Sequence, residues 1–249
     1  MATGDRIHRD FYPADSAAPV PRRYLELLRS TQAHLSTKAP FVLEIGPERP
    51  PISRFVIEQL GIPVTKYVAI ESSQISAQLL AAAGVRVEQA DVSADELPLP
   101  EHSVDAVIAA EVLEHLLEPE RFLADVRRIL RPSGLLALTT PNIAAWFNRI
   151  SLLVGFQPIF TENGGEWVYG RGPWAPRARP VGHVHVATMG AVREMLELEG
   201  FTVLEARGLP SNEIAVRGGV ARALDSLFSH IPNWAADLLV VATPAVLRP

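Results

Sequence analysis

Phe41-Val42-Leu43-Glu44-Ile45-Gly46 is an apolar run broken by one acid and closed by glycine. Its composition predicts a buried strand whose glycine falls at the carboxyl edge, where open α/β sheets bind their ligands. The missing side chain there lets a ligand approach the backbone. Just upstream, Pro21 opens an amphipathic helix with Tyr24, Leu25, Leu27, Leu28 and Leu35 on its apolar side. Residues 1–19 lack periodicity and contain Pro13 and Pro19, which reads as an arm or lid whose order depends on docking.

Downstream, short apolar runs alternate with helical periods. Strands are predicted at Tyr67–Ile70, Val85–Glu88, Val104–Ala109 and Leu135–Thr139, with helices near Ile52–Leu60, Ile75–Ala83 and Pro119–Leu130. This order indicates parallel strands joined by right-handed crossovers, a doubly wound α/β sheet. Pro132-Ser133-Gly134 reads as the stop and turn between a helix and its strand. Residues 142–187 break the rhythm: a helix from Ile143 to Val154 leads into a stretch rich in Gly, Pro, Trp and Arg, which we read as an insertion covering the site. The rhythm resumes with a helix from Met189 to Glu199 and a strand at Phe201–Glu205, then a helix near Val220–Phe228 and a last strand at Asp237–Ala242.

With 249 residues, 48% hydrophobic and 20% charged, the chain has the composition of a packed globular domain. A net charge of -5 without a basic run argues against nucleic acid as partner and for a neutral or small substrate. The absence of cysteine excludes disulfides, thiolate metal sites and cysteine nucleophiles, so any metal must rest on His and carboxylates. Met1 to Asp15 is polar, unlike a signal peptide, and no apolar stretch approaches the roughly 18 residues of a membrane span, so a cytoplasmic protein is expected.

Two acids stand at further strand ends. Glu71 closes the second strand, where a carboxylate accepts both ribose hydroxyls, and Asp91-Val92 follows the third, where a carboxylate takes the adenine amino hydrogen. Three such features in register are far more specific than any one. The stretches VLEIG (42–46), VAIES (68–72), QADVS (89–93), VDAVIAAEVLEHL (104–116) and RILRPSGLLALTTPN (128–142) together resemble the class I S-adenosylmethionine-dependent methyltransferases, in particular the type 11 group that includes ubiquinone-biosynthesis O-methyltransferases.

The resemblance implies a Rossmann-like, seven-stranded sheet with the last strand antiparallel, an insertion after strand 5, and S-adenosylmethionine across the carboxyl ends of the first strands. It implies an N-terminal arm and helix over 1–40 and a methyltransferase domain over 41–249 whose segment 142–187 covers the substrate. Glu44 and Gly46 would then meet the methionine end, Glu71 the ribose, Asp91 and Val92 the adenine, and Glu111 the edge of the sulfonium region, with Ser72 also among the cofactor-binding residues. The family's GxGxG turn is replaced by Gly46-Pro47-Glu48-Arg49-Pro50-Pro51, in which prolines are expected to stiffen the loop. Since the cofactor has no phosphate, that loop need not cradle an anion.

Glu111, Glu114 and His115 stand at i, i+3 and i+4, and a helical turn after the fourth strand would put all three on one face at the cleft rim. His115 can act as a base, with Glu114 fixing its tautomer. Alternatively, Glu111, Glu114 and His115, joined by His183 or His185, form a divalent-metal site. Relatives with an ExxEH motif hold magnesium with a later His, and His183, five residues before Thr188, matches its place. A third reading has Glu114 and His115 merely capping a loop. The resemblance also puts Pro141-Asn142 where relatives face the acceptor. Trp146, Phe147, Phe156, Phe160, Trp167, Tyr169 and Trp174 either pack the insertion or line a pocket for a flat acceptor, and Arg149, Arg171, Arg177 and Arg179 are either solvated or meet an acidic group. Methylation of oxygen or nitrogen is the expected activity. A non-catalytic binding protein and a family member turned to cyclisation or decarboxylation are the alternatives.

Overall fold

The structure, a computed structural model, describes residues 20–175, 177–211 and 218–245. The expected arm over 1–19 lies outside them. The first helix, α1 (Arg22–His34), precedes β1 (Val42–Ile45), α2 (Pro50–Leu60), β2 (Tyr67–Glu71), α3 (Gln74–Ala82), β3 (Val87–Gln89) and β4 (Val104–Ala110). There follow α4 (Pro119–Ile129), β5 (Leu130–Pro141), α5 (Trp146–Leu153), α6 (Met189–Leu198), β6 (Phe201–Leu209), α7 (Gly219–Phe228) and β7 (Asp237–Pro244).

The strands form one seven-stranded sheet in the order β3-β2-β1-β4-β5-β7-β6. β1 pairs in parallel with both β2 and β4, while β7 runs antiparallel to β5 and β6. Strand order therefore reverses between β1 and β4, and the crevice beyond their carboxyl ends is where this topology places a ligand.

Strand alternation divides the core between the two faces of the sheet. Val42, Tyr67, Ala69, Ala106 and Ile108 pack with Tyr24, Leu27 and Leu28 of α1 and with Ile52, Val56 and Leu60 of α2. Leu43, Ile45, Val68, Ile70 and Val107 pack on the other face with Phe122, Leu123 and Val126 of α4 and Met189, Val192 and Leu196 of α6. Burial on both faces explains why these strands read as continuous apolar runs rather than as alternating ones.

One expected turn takes a different form. Pro132-Ser133-Gly134 lies within β5 as an irregularity, with Val104 opposite Leu130 and Ala106 opposite Leu135. Gly134 is needed there for close approach, because a Cβ would come within 3.0 Å of Arg131 O and 3.1 Å of Val104 O. The segment after β5 is closed at its ends by a bridge between Asn142 and Ala187. Its apolar cluster of Trp146, Phe147, Ile159 and Phe160 packs with Leu224 and Phe228 of α7. No helix among the described residues is long and apolar enough to cross a membrane.

Candidate active site

A cavity of about 480 Å³ opens at the carboxyl ends of β1, β2 and β4 and is lined by Gly46, Glu71, Ser72, Asp91, Val92 and Glu111, among others. Gly46 adopts φ 62° and a Cβ built on it meets nothing within 4 Å, so the space over the strand end is open. The Glu71 carboxylate accepts the backbone N–H of Glu48 and of Ser73, both at 3.0 Å, which fixes it at the floor of this cavity. Asp91 is exposed and accepts the N–H of Ser93 at 2.9 Å.

Glu44, expected at the methionine end, is placed elsewhere. Alternation along β1 turns it to the same face as Val42, beneath α1 and α2, where it is fully buried and hydrogen-bonded by the Tyr67 hydroxyl. That hydroxyl also lies 2.9 Å from Ser53 Oγ. Burial, aided by the charge of Glu71, lifts the Glu44 carboxyl to about 8 against the opposing hydrogen bonds from Tyr67 and Tyr24. A carboxyl so raised is mostly neutral at pH 7.

The loop after β1 is shorter than the run of prolines suggests, because Pro50 and Pro51 occupy the first positions of α2, where their missing N–H groups are tolerated. Within it, Glu48 takes a left-handed φ of 61°. Its side chain lines both this cavity and a second one. Burial and the charge of Glu71 raise its carboxyl to about 7, against the pull of Arg49 and Arg23.

The second cavity, of about 250 Å³, lies between the strand ends and the insertion, and its walls include Tyr24, Glu111, Glu114, His115, Phe160, Glu162 and His183. Glu111, Glu114 and His115 do converge, but not on one helix face. Glu111 carries φ 56° at the end of β4, ahead of a single 3-10 turn over Leu113–His115. Its carboxylate accepts from Thr139 Oγ1 at 2.8 Å and stands 3.7 Å from the Arg23 guanidinium.

Glu114 turns inward instead and is fully buried, accepting from Thr140 Oγ1 at 3.0 Å. Burial first, then the charge of Glu111, holds its carboxyl well above the usual range. His115 Nδ1 meets the carbonyl of Gly182 at 3.1 Å, and His183 Nδ1 meets that of Phe160 at 3.0 Å. A carbonyl only accepts, so each Nδ1 carries a proton and Nε2 is the ring nitrogen left for other partners. Burial, reinforced by the His183 ring, lowers the His115 pKa below the ordinary histidine value.

Glu114, His115 and His183 each offer a ligand atom within 4.8 Å of the others. Glu111 is outside this cluster, engaged with Thr139 and Arg23, and His185 is exposed with Nε2 3.3 Å from Leu117 O. The segment bearing His183 is strapped down: Glu162 accepts the N–H groups of Val181, Gly182 and His183 at 2.6, 3.0 and 3.2 Å. The backbone oxygen of Glu114 takes those of Val184 and His185 at 2.7 and 3.1 Å.

The remaining substrate-side candidates divide. Asn142 is buried and holds Ala235 O at 2.8 Å and the N–H of Ala144 at 2.9 Å, so it anchors the insertion instead of facing the second cavity. Trp146 and Phe147 are core residues and Phe160 lines the cavity, while Trp167, Tyr169 and Trp174 are exposed. Arg149 is occupied by Ala144 O at 2.7 Å and by the Trp234 ring, whereas Arg171 and Arg179 line the second cavity.

Glu48, Arg23, Tyr24 and Glu162 were not expected at the site. A sign of Glu48 was available, since an acid stands where the turn calls for glycine. Nothing local in the sequence marks Glu162, whose partners lie in a different part of the insertion.

Residues 54–138 match the family described as Methyltransferase domain. A "Probable S-adenosylmethionine-dependent methyltransferase" of Mycobacterium tuberculosis is 49% identical over 57 residues, covering 23% of this chain and 21% of that protein. The ubiquinone biosynthesis O-methyltransferase of Maricaulis maris is 32% identical over 121 residues, 48% of this chain and 42% of that one. The chain thus spans less than half the length of these curated relatives. In fold, it matches the crystal structure of a SAM dependent methyltransferase from Aquifex aeolicus with a TM-score of 0.55 at 16% identity, over 98% of this chain and 100% of that one. By its sheet order and by the match over residues 54–138, the chain has the fold of the class I S-adenosylmethionine-dependent methyltransferases and is similar in that segment to the methyltransferase-domain family.

Proposed function

We propose that the protein transfers the methyl group of S-adenosylmethionine to an oxygen or nitrogen of a small-molecule acceptor. The observation that carries this reading is the junction of the two cavities, which share Gly46, Glu48, Glu111, His115 and Val181 in their walls. With cofactor in the larger cavity, its methyl group would face an acceptor in the smaller one. The acceptor lone pair attacks the methyl carbon, the carbon–sulfur bond breaks, and the sulfonium becomes the neutral thioether of adenosylhomocysteine. His115 Nε2 takes the acceptor's proton, while the cavity walls supply the in-line orientation on which such a transfer depends.

A second reading has a specific observation behind it. The two Nε2 atoms and the Glu114 carboxylate fit a divalent cation, because both Nδ1 atoms are held by carbonyls and Glu114 Oε1 is buried with no hydrogen-bond partner among the described residues. Two imidazoles and one carboxylate suit manganese or zinc better than the magnesium that the ExxEH relatives suggest, since magnesium favours oxygen donors. A cation held there would polarise the acceptor oxygen. Incubation with cofactor labelled in its methyl group and a fractionated metabolite extract tests the reading: label should pass to a small-molecule fraction. Tight cofactor binding without transfer to any fraction would favour a binding protein or a different reaction.

A further inference from the structure

Glu48 is a residue whose conformation costs stability and whose side chain faces the centre of the site. Left-handed backbone is disfavoured for an L side chain, and glycine would adopt it freely. In Glu48 the φ is 61°, and the backbone is held there by its own N–H on Glu71 Oε2 at 3.0 Å. Strain of this kind persists where surrounding structure enforces it, often at a ligand site. No hydrogen bond or ion pair among the described residues takes up its carboxylate, on which the charges of Arg49 and Arg23 act without direct contact.

The other acids at the junction are committed. Glu71 accepts two backbone N–H groups, Glu111 is engaged by Thr139 and Arg23, and Glu44 is enclosed between β1 and its covering helices. The amino-acid end of the cofactor carries an ammonium group, which needs an anionic partner when it leaves water. On the methyltransferase reading, we propose that Glu48 supplies that partner, a carboxylate held by a strained loop to bind the α-ammonium group of the cofactor. Of the loop after β1, Gly46 and Glu48 line both cavities, and Glu48 is the one with a charged side chain to offer.

Calorimetry with adenosylhomocysteine and with 5′-methylthioadenosine, which lacks the amino-acid end, tests the assignment on the wild type, Glu48→Gly and Glu48→Gln. Both variants should bind adenosylhomocysteine about tenfold to a hundredfold more weakly, the loss expected for a hydrogen bond to a charged group. Their affinity for methylthioadenosine should stay at the wild-type value. Ligand-free Glu48→Gly should melt no lower than the wild type, because strain is relieved. Unchanged adenosylhomocysteine affinity, or an equal loss for both ligands, would overturn the assignment. A wild type that binds neither ligand would instead remove the methyltransferase reading beneath it.

Discussion

The rings of His115 and His183 meet edge to face with 5.0 Å between centroids and an interplanar angle of 61°. Each is fixed through Nδ1 to a carbonyl of the segment between β5 and α6, and both rings line the second cavity. If His115 is the base, His115→Ala should lower kcat about a hundredfold or more with little change in cofactor affinity, and activity should survive exhaustive chelation. Activity lost on chelation and restored by manganese would transfer the role to the cation reading.

The position of His183 depends on Glu162. Removing a carboxylate that accepts three backbone N–H groups should loosen the 181–183 segment without opening the core. Glu162→Ala is expected to raise the acceptor KM and lower kcat together, about tenfold, with faster amide exchange at Gly182 and His183. Glu162→Gln, which keeps acceptor oxygen, should recover part of both. Wild-type exchange in the alanine variant would show that the strap is not needed.

Gly46 tests the open space above β1. With φ 62° and no atom near its Cβ position, Gly46→Ala should cost about 1 kcal/mol of stability, yet place a methyl group where the cofactor is expected. Thermal unfolding should show a small decrease and adenosylhomocysteine affinity a loss of about tenfold or more. Wild-type affinity in a folded variant would move the cofactor away from this strand end.

Glu44 makes stability depend on pH. Its folded-state pKa of about 8 exceeds the ordinary 4.5, so between these values the folded chain holds a proton that the unfolded chain has released. Stability should therefore be fully present below about 4.5 and fall as pH rises towards 8, by at most about 1.4 kcal/mol per pH unit for this group. Glu48, raised to about 7, acts in the same direction. Urea midpoints of the ligand-free protein should decline from pH 5 to 8, and Glu44→Gln should flatten the decline. Parallel profiles for the two proteins would contradict this.

The sheet was legible because its strands are buried on both faces and its helices carry a clear apolar stripe; β1, β4 and α4 differ from expectation by a residue or so at their ends. That Gly46, Glu71, Asp91 and Val92 line one cavity was legible because a parallel sheet brings all its strand ends to one edge. The burial of Glu44 beneath α1 and α2 was not legible, because a motif carries no sense of which face a side chain takes and alternation from buried Val42 decides that. The helix-face geometry expected for Glu111, Glu114 and His115 is replaced by a left-handed residue and one tight turn, which no periodicity records. The contacts of Glu162 and Asn142 join segments through tertiary packing, beyond the range of any local pattern.

The central claim is that the crevice at the ends of β1, β2 and β4 binds S-adenosylmethionine, and titration calorimetry of the full chain with adenosylhomocysteine tests it most directly. Saturable binding with one ligand per chain is predicted, weakened by Gly46→Ala. The absence of binding by a folded protein, at ligand concentrations up to the millimolar range, would contradict the account.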